Sequence, residues 1–199
     1  ITGFMTGQAR TDLALSYAYE SYDYYLFGED RQAVRNRIQG VNLFLEHGFS
    51  DSLGVVVNLP YVWIDSLNRG LQDATLALKF RQQPVDSPAG NLSLIASAGL
   101  TFPLSSYPTQ TESPIGRRAT LLQGRLVVQY NFSSGLFLHL QTGYDFQVLP
   151  DPQNALPVQL RSGFGAARFF VEGWLEWYHT FNAGADERIL GGSGSDWLR

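Results

Sequence analysis

Nine side chains that can carry charge or exchange a proton, Glu46, Lys79, Arg81, Arg125, His139, Asp145, Arg161, Glu172 and Glu176, fall on one side of a two-residue alternation that runs through most of the chain. Two chemistries fit such a set. The charges can line a polar passage and select solutes by sign, or they can pair into a network, because a charge in a low-dielectric interior needs a partner. Spacing allows two pairs. Arg125 and Asp145 lie on neighbouring segments at matching depth. Arg161 lies opposite Glu172 if the chain turns at Ala166 and Ala167, a register that also sets Phe164 against Phe169 on the other face.

Other chemistry is not supported by the residues. His47, His139 and His179 are on different segments at different heights, and with no cysteine in the chain no metal site is expected. No serine is positioned beside His139 as a nucleophile would be, so the chain is not expected to be an enzyme. There is no phosphate loop or dinucleotide fingerprint, and no cofactor is expected.

The elements that must position these residues are strands. From Val41 to Arg81 the chain reads as a meander in which Val41, Leu43, Leu45 and Phe49, then Leu53, Val55, Val57, Leu59, Tyr61 and Trp63, then Ala74, Leu76, Leu78 and Phe80 share an oily face. The opposite face is polar or small. The same alternation predicts strands near residues 11–19, 92–102, 122–132, 136–148, 158–165 and 168–180, with SYDYYLFGEDRQA and LPDPQNALP as loops. The connections alternate between short turns, at residues 50–52 and 133–135, and longer loops, at residues 66–72 and 105–118.

Along the oily face, aliphatic residues sit in the middle and aromatic residues at the ends. A bilayer rewards that order, because Tyr, Trp and Phe favour its two interfaces. One girdle would comprise Tyr17, Tyr19, Tyr61, Trp63, Phe102, Tyr144, Phe146 and Trp177, and the other Phe49, Phe80, Tyr130, Phe132 and Phe164. The expectation is an all-β, antiparallel up-and-down transmembrane β-barrel. In the soluble alternative, a lipocalin-like barrel, the oily face would point inward, which gives no reason for two aromatic belts.

Bulk composition agrees with alternation against lipid. Only 16% of the 199 residues are charged and 14% are aromatic, against about 25% charged in soluble domains. Mean hydropathy is −0.11, as expected when only alternate residues face lipid, and no run approaches the roughly 18 apolar residues of a spanning helix. The net charge of −4 with dispersed basic residues argues against nucleic acid as a partner. About nine strands are visible of an expected 10 to 12 or so, since bacterial barrels use even numbers. Residues 1–199 are therefore read as one outer-membrane domain, incomplete at its C-terminal end. An interior of this size is largely filled by side chains, which favours the ion-pair network over an open passage.

The stretch GFSDSLGVVVNLPYV, residues 48–62, followed by GLQDATLALKFR, residues 70–81, resembles an outer-membrane barrel family of phenol-degradation meta-pathway transporters. Members show a G-[LF]-[ST]-D turn, a strand ending in Leu-Pro-Tyr, and a Gly-Leu-x-Asp segment leading to a Lys-[YF]-[RK] strand end. LTFPL at residues 100–104 is similar to a later Leu-Lys-Leu-Pro strand end, with Thr101 in place of the basic residue. The resemblance spans most of residues 40–180. It implies an outer-membrane protein that passes or binds small apolar or aromatic molecules, and it carries over no functional residue.

Two functions are open. The first is a channel or uptake protein for small solutes in the outer membrane of a Gram-negative-type bacterium, with the lipid bilayer and lipopolysaccharide as its surroundings. The second is a non-conducting scaffold whose outer loops bind a protein partner in an envelope complex. Arg31, Arg35 and Arg37, among the aromatics of the first long connection, could meet lipopolysaccharide phosphates.

Overall fold

A computed structural model describes residues 4–27, 30–64, 68–109, 114–150, 152–166, 168–181 and 196–198, with the backbone alone at 22, 24–27, 30–36 and 196–198. The strands are β1 (Thr11–Phe27), β2 (Asp30–Gly48), β3 (Leu53–Ile64), β4 (Asn68–Leu71), β5 (Asp73–Arg81), β6 (Val85–Ser87), β7 (Gly90–Pro103), β8 (Thr120–Phe132), β9 (Leu136–Leu149), β10 (Gln153–Gly165), β11 (Phe170–Thr180) and β12 (Asp196–Leu198). They form one antiparallel sheet in the order β1-β2-β3-β5-β7-β8-β9-β10-β11-β12, with β4 on β3 and β6 on β7. Each long strand therefore pairs with its neighbour in sequence, the up-and-down order expected. The nine long strands make a curled half-barrel.

The curl follows from contacts no flat sheet permits. Strands β2 and β9 are five steps apart in the order, about 24 Å at the usual strand spacing. Yet residues 4–6, which reach at most about 10 Å when extended, touch β2, β5 and β9. Thr6 N donates to Glu46 Oε1, Lys79 Nζ donates to the Phe4 carbonyl, and the Phe4 ring meets Phe137 edge-on at 5.5 Å.

Alternation sorts the two faces. Leu76, Leu78 and Phe80 are exposed on the outside of β5, whereas Ala77 and Lys79 between them are buried inside. The outside carries Leu13, Leu15, Leu94, Leu126, Leu138, Leu140 and Leu160, all exposed. The inner face is not purely polar. Val56, Ile95, Val127 and Phe137 are buried there, and they are the central residues of apolar triplets or pairs such as Val55-Val56-Val57 and Leu136-Phe137-Leu138, in which both faces are apolar at once.

Two segments expected to be loops are largely strand. Tyr-rich residues 20–27 pair back onto residues 30–38, with a register shift between Tyr22 and Tyr24, so β1 and β2 form a long hairpin. The β propensity of Tyr accounts for this. The connection after β9 shrinks to residues 150–152, because β10 begins at Gln153. Between β3 and β5 the connection folds β4 back on β3, pairing Trp63 with Arg69.

Candidate functional site

The inner face gathers the charged residues along its length. Nearest the short turns, Lys79 on β5 is fully buried and pairs with Glu46 on β2 at 2.8 Å. Glu46 lies opposite Val56, which lies opposite Ala77, so the pair reaches diagonally across β3. The ammonium also holds the Phe4 carbonyl at 2.6 Å, and that satisfies a second of its three donors. Arg81, two residues on, donates to the Asp51 carbonyl at 2.8 Å.

On β9, His139 is buried with its Nδ1 3.1 Å from Gln129 Oε1, while its Nε2 has no hydrogen-bond partner. Higher on the same strand, Asp145 takes Arg125 at 2.6 Å. Arg125 lies opposite Gly143, where a Cβ would come within 2.8 Å of the Arg125 stem and closer still to the Gly124 carbonyl. The bare glycine lets that stem lie along the sheet and reach Asp145. Gln123 and Tyr178 also donate to Asp145, at 3.4 and 3.2 Å.

Arg161 meets Glu172 at 3.3 Å with both side chains partly exposed, and stands over the Trp174 ring. The pairing is diagonal: Arg161 is opposite Trp174 and Glu172 opposite Gly163, because the turn runs from Ala166 to Phe169 instead of closing at Ala166 and Ala167. Phe164 accordingly faces Val171, though its ring still reaches Phe169 at 5.7 Å. Glu176 accepts from the Gln159 amide. All nine charged or titratable residues singled out from sequence thus belong to the inner face, and three oppositely charged pairs form among them.

The aromatic residues expected in the two girdles occupy the outer face, whereas Phe137, Trp174 and Tyr178 lie on the inner one. Tyr17, Tyr19, Phe49, Tyr61, Phe80, Phe132, Tyr144 and Phe146 are exposed, and Trp63, Phe102, Tyr130, Phe164 and Trp177 are half-buried by their neighbours. Tyr61, Trp63 and Tyr17 cluster towards the long connections, with ring centroids 5.9 and 6.4 Å apart, and Tyr130 and Phe132 meet at 4.7 Å near the short turns. Arg31 and Arg35 have side chains outside the described residues, and Arg37 is exposed.

Sequence reasoning missed the site at the other end of the curl. The connection between β7 and β8 folds inward, and Tyr107 and Ile115 pack on Ile64, Ile38 and Val62. The Tyr107 hydroxyl donates to Asp73 Oδ1 and accepts from Arg118 N at 2.8 Å, and Ala119 N reaches Asp73 Oδ2 at 3.5 Å. Burial, then the hydrogen bond to the Asp73 carboxylate, pushes the Tyr107 hydroxyl well above its usual pKa. The only trace in sequence was the pair Tyr107 and Ile115 in an otherwise polar loop.

Among the described residues no helix is long and apolar enough to cross a membrane, which says nothing of strands. No group of three metal-ligating side chains occurs among them either. Residues 28–196 match the family described as "Putative MetA-pathway of phenol degradation". The chain belongs to this family. The match covers every long strand from β2 onward and leaves out β1, so it takes in eight of the nine long strands of the half-barrel. No curated protein and no solved structure matches the chain.

Proposed function

We propose that the chain is a membrane-spanning barrel of a Gram-negative-type outer membrane that passes small solutes, and that it is a conduit and not an enzyme. The observation that carries this reading is the outer face. It is apolar over strands of 9 to 14 residues from β3 to β11, and about 9–11 tilted residues suffice to cross hydrocarbon. Its aromatics stand at both ends, where headgroups would receive them. An exposed apolar surface of this extent in water would drive association. The family's name, which ties it to phenol degradation, supports a small aromatic or apolar solute as cargo.

Reconstitution into liposomes tests the proposal. Solute-dependent swelling or single-channel steps in a planar bilayer are expected, and Arg125→Ala should raise conductance by removing a bulky side chain from the inner wall. A folded β spectrum in detergent-free buffer would refute membrane spanning. A second reading has its own observation. Both ends of the interior are occupied, by residues 4–6 and by residues 104–109 and 114–119 of the β7–β8 connection, which favours a non-conducting scaffold that meets a partner through its long connections. Silent bilayers containing folded protein would favour it.

A further inference from the structure

A cavity of about 370 Å³ opens at the short-turn end of the interior, between the N-terminal segment and strands β5 to β8. Phe4 and Met5 form one wall. The facing walls supply hydrogen-bond donors. Arg81 contributes a guanidinium whose Nε is buried without a partner. It has no ion pair with any described carboxylate and spends one donor on the Asp51 carbonyl.

Asn91 is the end of a directed chain. His139 Nδ1 meets Gln129 Oε1, so that nitrogen carries the proton; Gln129 Nε2 donates to Asn131 Oδ1 at 2.8 Å, and Asn131 Nδ2 donates to Asn91 Oδ1 at 3.0 Å. Each amide thereby accepts on one side and donates on the other, which polarises the next. The Asn91 amide NH2 is left as the terminal donor at the cavity, donating to no described residue. Ser93, also in the wall, adds a buried hydroxyl. One acidic group is present, Asp86, and it is exposed, so water and salt screen it more than the half-buried guanidinium.

We propose that this cavity binds a small organic carboxylate with an apolar body. The carboxylate accepts from Arg81 and Asn91, and the body packs on Phe4 and Met5. The volume lies within the range of small-molecule sites, and charge-assisted bonds to a guanidinium are the strong kind. The proposal names a ligand class for the barrel described above, but it stands on equilibrium binding and does not require conduction.

Benzoate and its neutral counterpart benzamide are the probes, titrated at neutral pH into the full chain folded in detergent micelles. Saturable benzoate binding is expected, with benzamide weaker by about tenfold or more and with Arg81→Gln weakening benzoate by a similar factor. Asp86→Asn, at an exposed position, should tighten benzoate binding about twofold or more by removing a like charge. If Arg81→Gln fails to fold, the benzoate to benzamide ratio and Asp86→Asn decide alone. Equal binding of benzoate and benzamide, or no benzoate binding to the native chain, would overturn the proposal. Silent bilayers with benzoate bound would leave it standing and count only against conduction.

Discussion

The two ends of the interior are occupied in different ways. At the short-turn end, residues 4–6 are held by charge: a fully buried ammonium grips a carboxylate and a carbonyl at once. At the long-loop end, the described parts of the β7–β8 connection, residues 104–109 and 114–119, are held by apolar packing of Tyr107 and Ile115, with a neutral hydroxyl locked between Asp73 and a backbone N–H. A buried ion pair contributes little net stability against a well-packed apolar replacement, yet breaking one half of it is costly. Apolar packing with one hydrogen bond yields gradually and locally. The first end should therefore fail all at once, with the sheet, and the second should loosen while the sheet stays intact.

The largest expected effect is at the charged end. Lys79→Met leaves the Glu46 carboxylate buried without its counter-charge, with the Thr6 N–H still donating to it, and should lower stability in detergent by about 3–5 kcal/mol. Adding Glu46→Leu should restore most of that loss in urea unfolding; a double variant as unstable as the single would remove the ion pair from the account.

Tyr107→Phe at the other end should cost about 1–3 kcal/mol, because Asp73 loses a buried donor. The change should appear locally, as faster trypsin cleavage after Arg117 or Arg118 with little change in global unfolding. Unaltered cleavage would mean that packing alone holds the connection.

The same hydroxyl gives a pH dependence. Its pKa is raised above the ordinary tyrosine value of about 10 in the folded chain, so the unfolded segment gives up its proton first as pH climbs. The contribution to stability is whole below about pH 10 and is lost above it. Tryptic cleavage of the connection should accelerate above that pH in the native chain, and Tyr107→Phe should abolish the pH dependence.

The smallest effect is expected at Arg161 and Glu172, which are partly exposed at 3.3 Å. Arg161→Gln should change stability by about 0–1 kcal/mol. A loss as large as that of Lys79→Met would erase the distinction between buried and open pairs on the inner face.

Alternation made the strands and the sidedness of Glu46, Lys79 and Asp145 legible, because a period of two assigns a face to every residue once one is known. It could not show that residues 20–27 continue as strand, since their mixture of Tyr with Ser, Asp and Glu lacks a clear oily face. Buried inner apolar residues were encoded, in triplets such as Leu126-Val127-Val128, but a triplet reads first as a stronger outer face. The tucked N-terminal segment and the inward connection were beyond reach. They depend on the curl, which brings β2, β5 and β9 to one segment, and no local pattern reports curvature. The diagonal ion pairs were reachable because a long Arg side chain tolerates a two-residue error in register.

The central claim is that the exposed apolar face meets lipid and the buried face encloses the interior. With no native cysteine, single cysteines at residues 75 to 78 and at 80 of β5 can each carry a spin label in lipid bilayers, with Lys79 and its ion pair left in place. Collision with oxygen, which concentrates in hydrocarbon, should be high at residues 76, 78 and 80 and low at 75 and 77. Uniform access of a water-soluble relaxant to residues 76, 78 and 80 would contradict it.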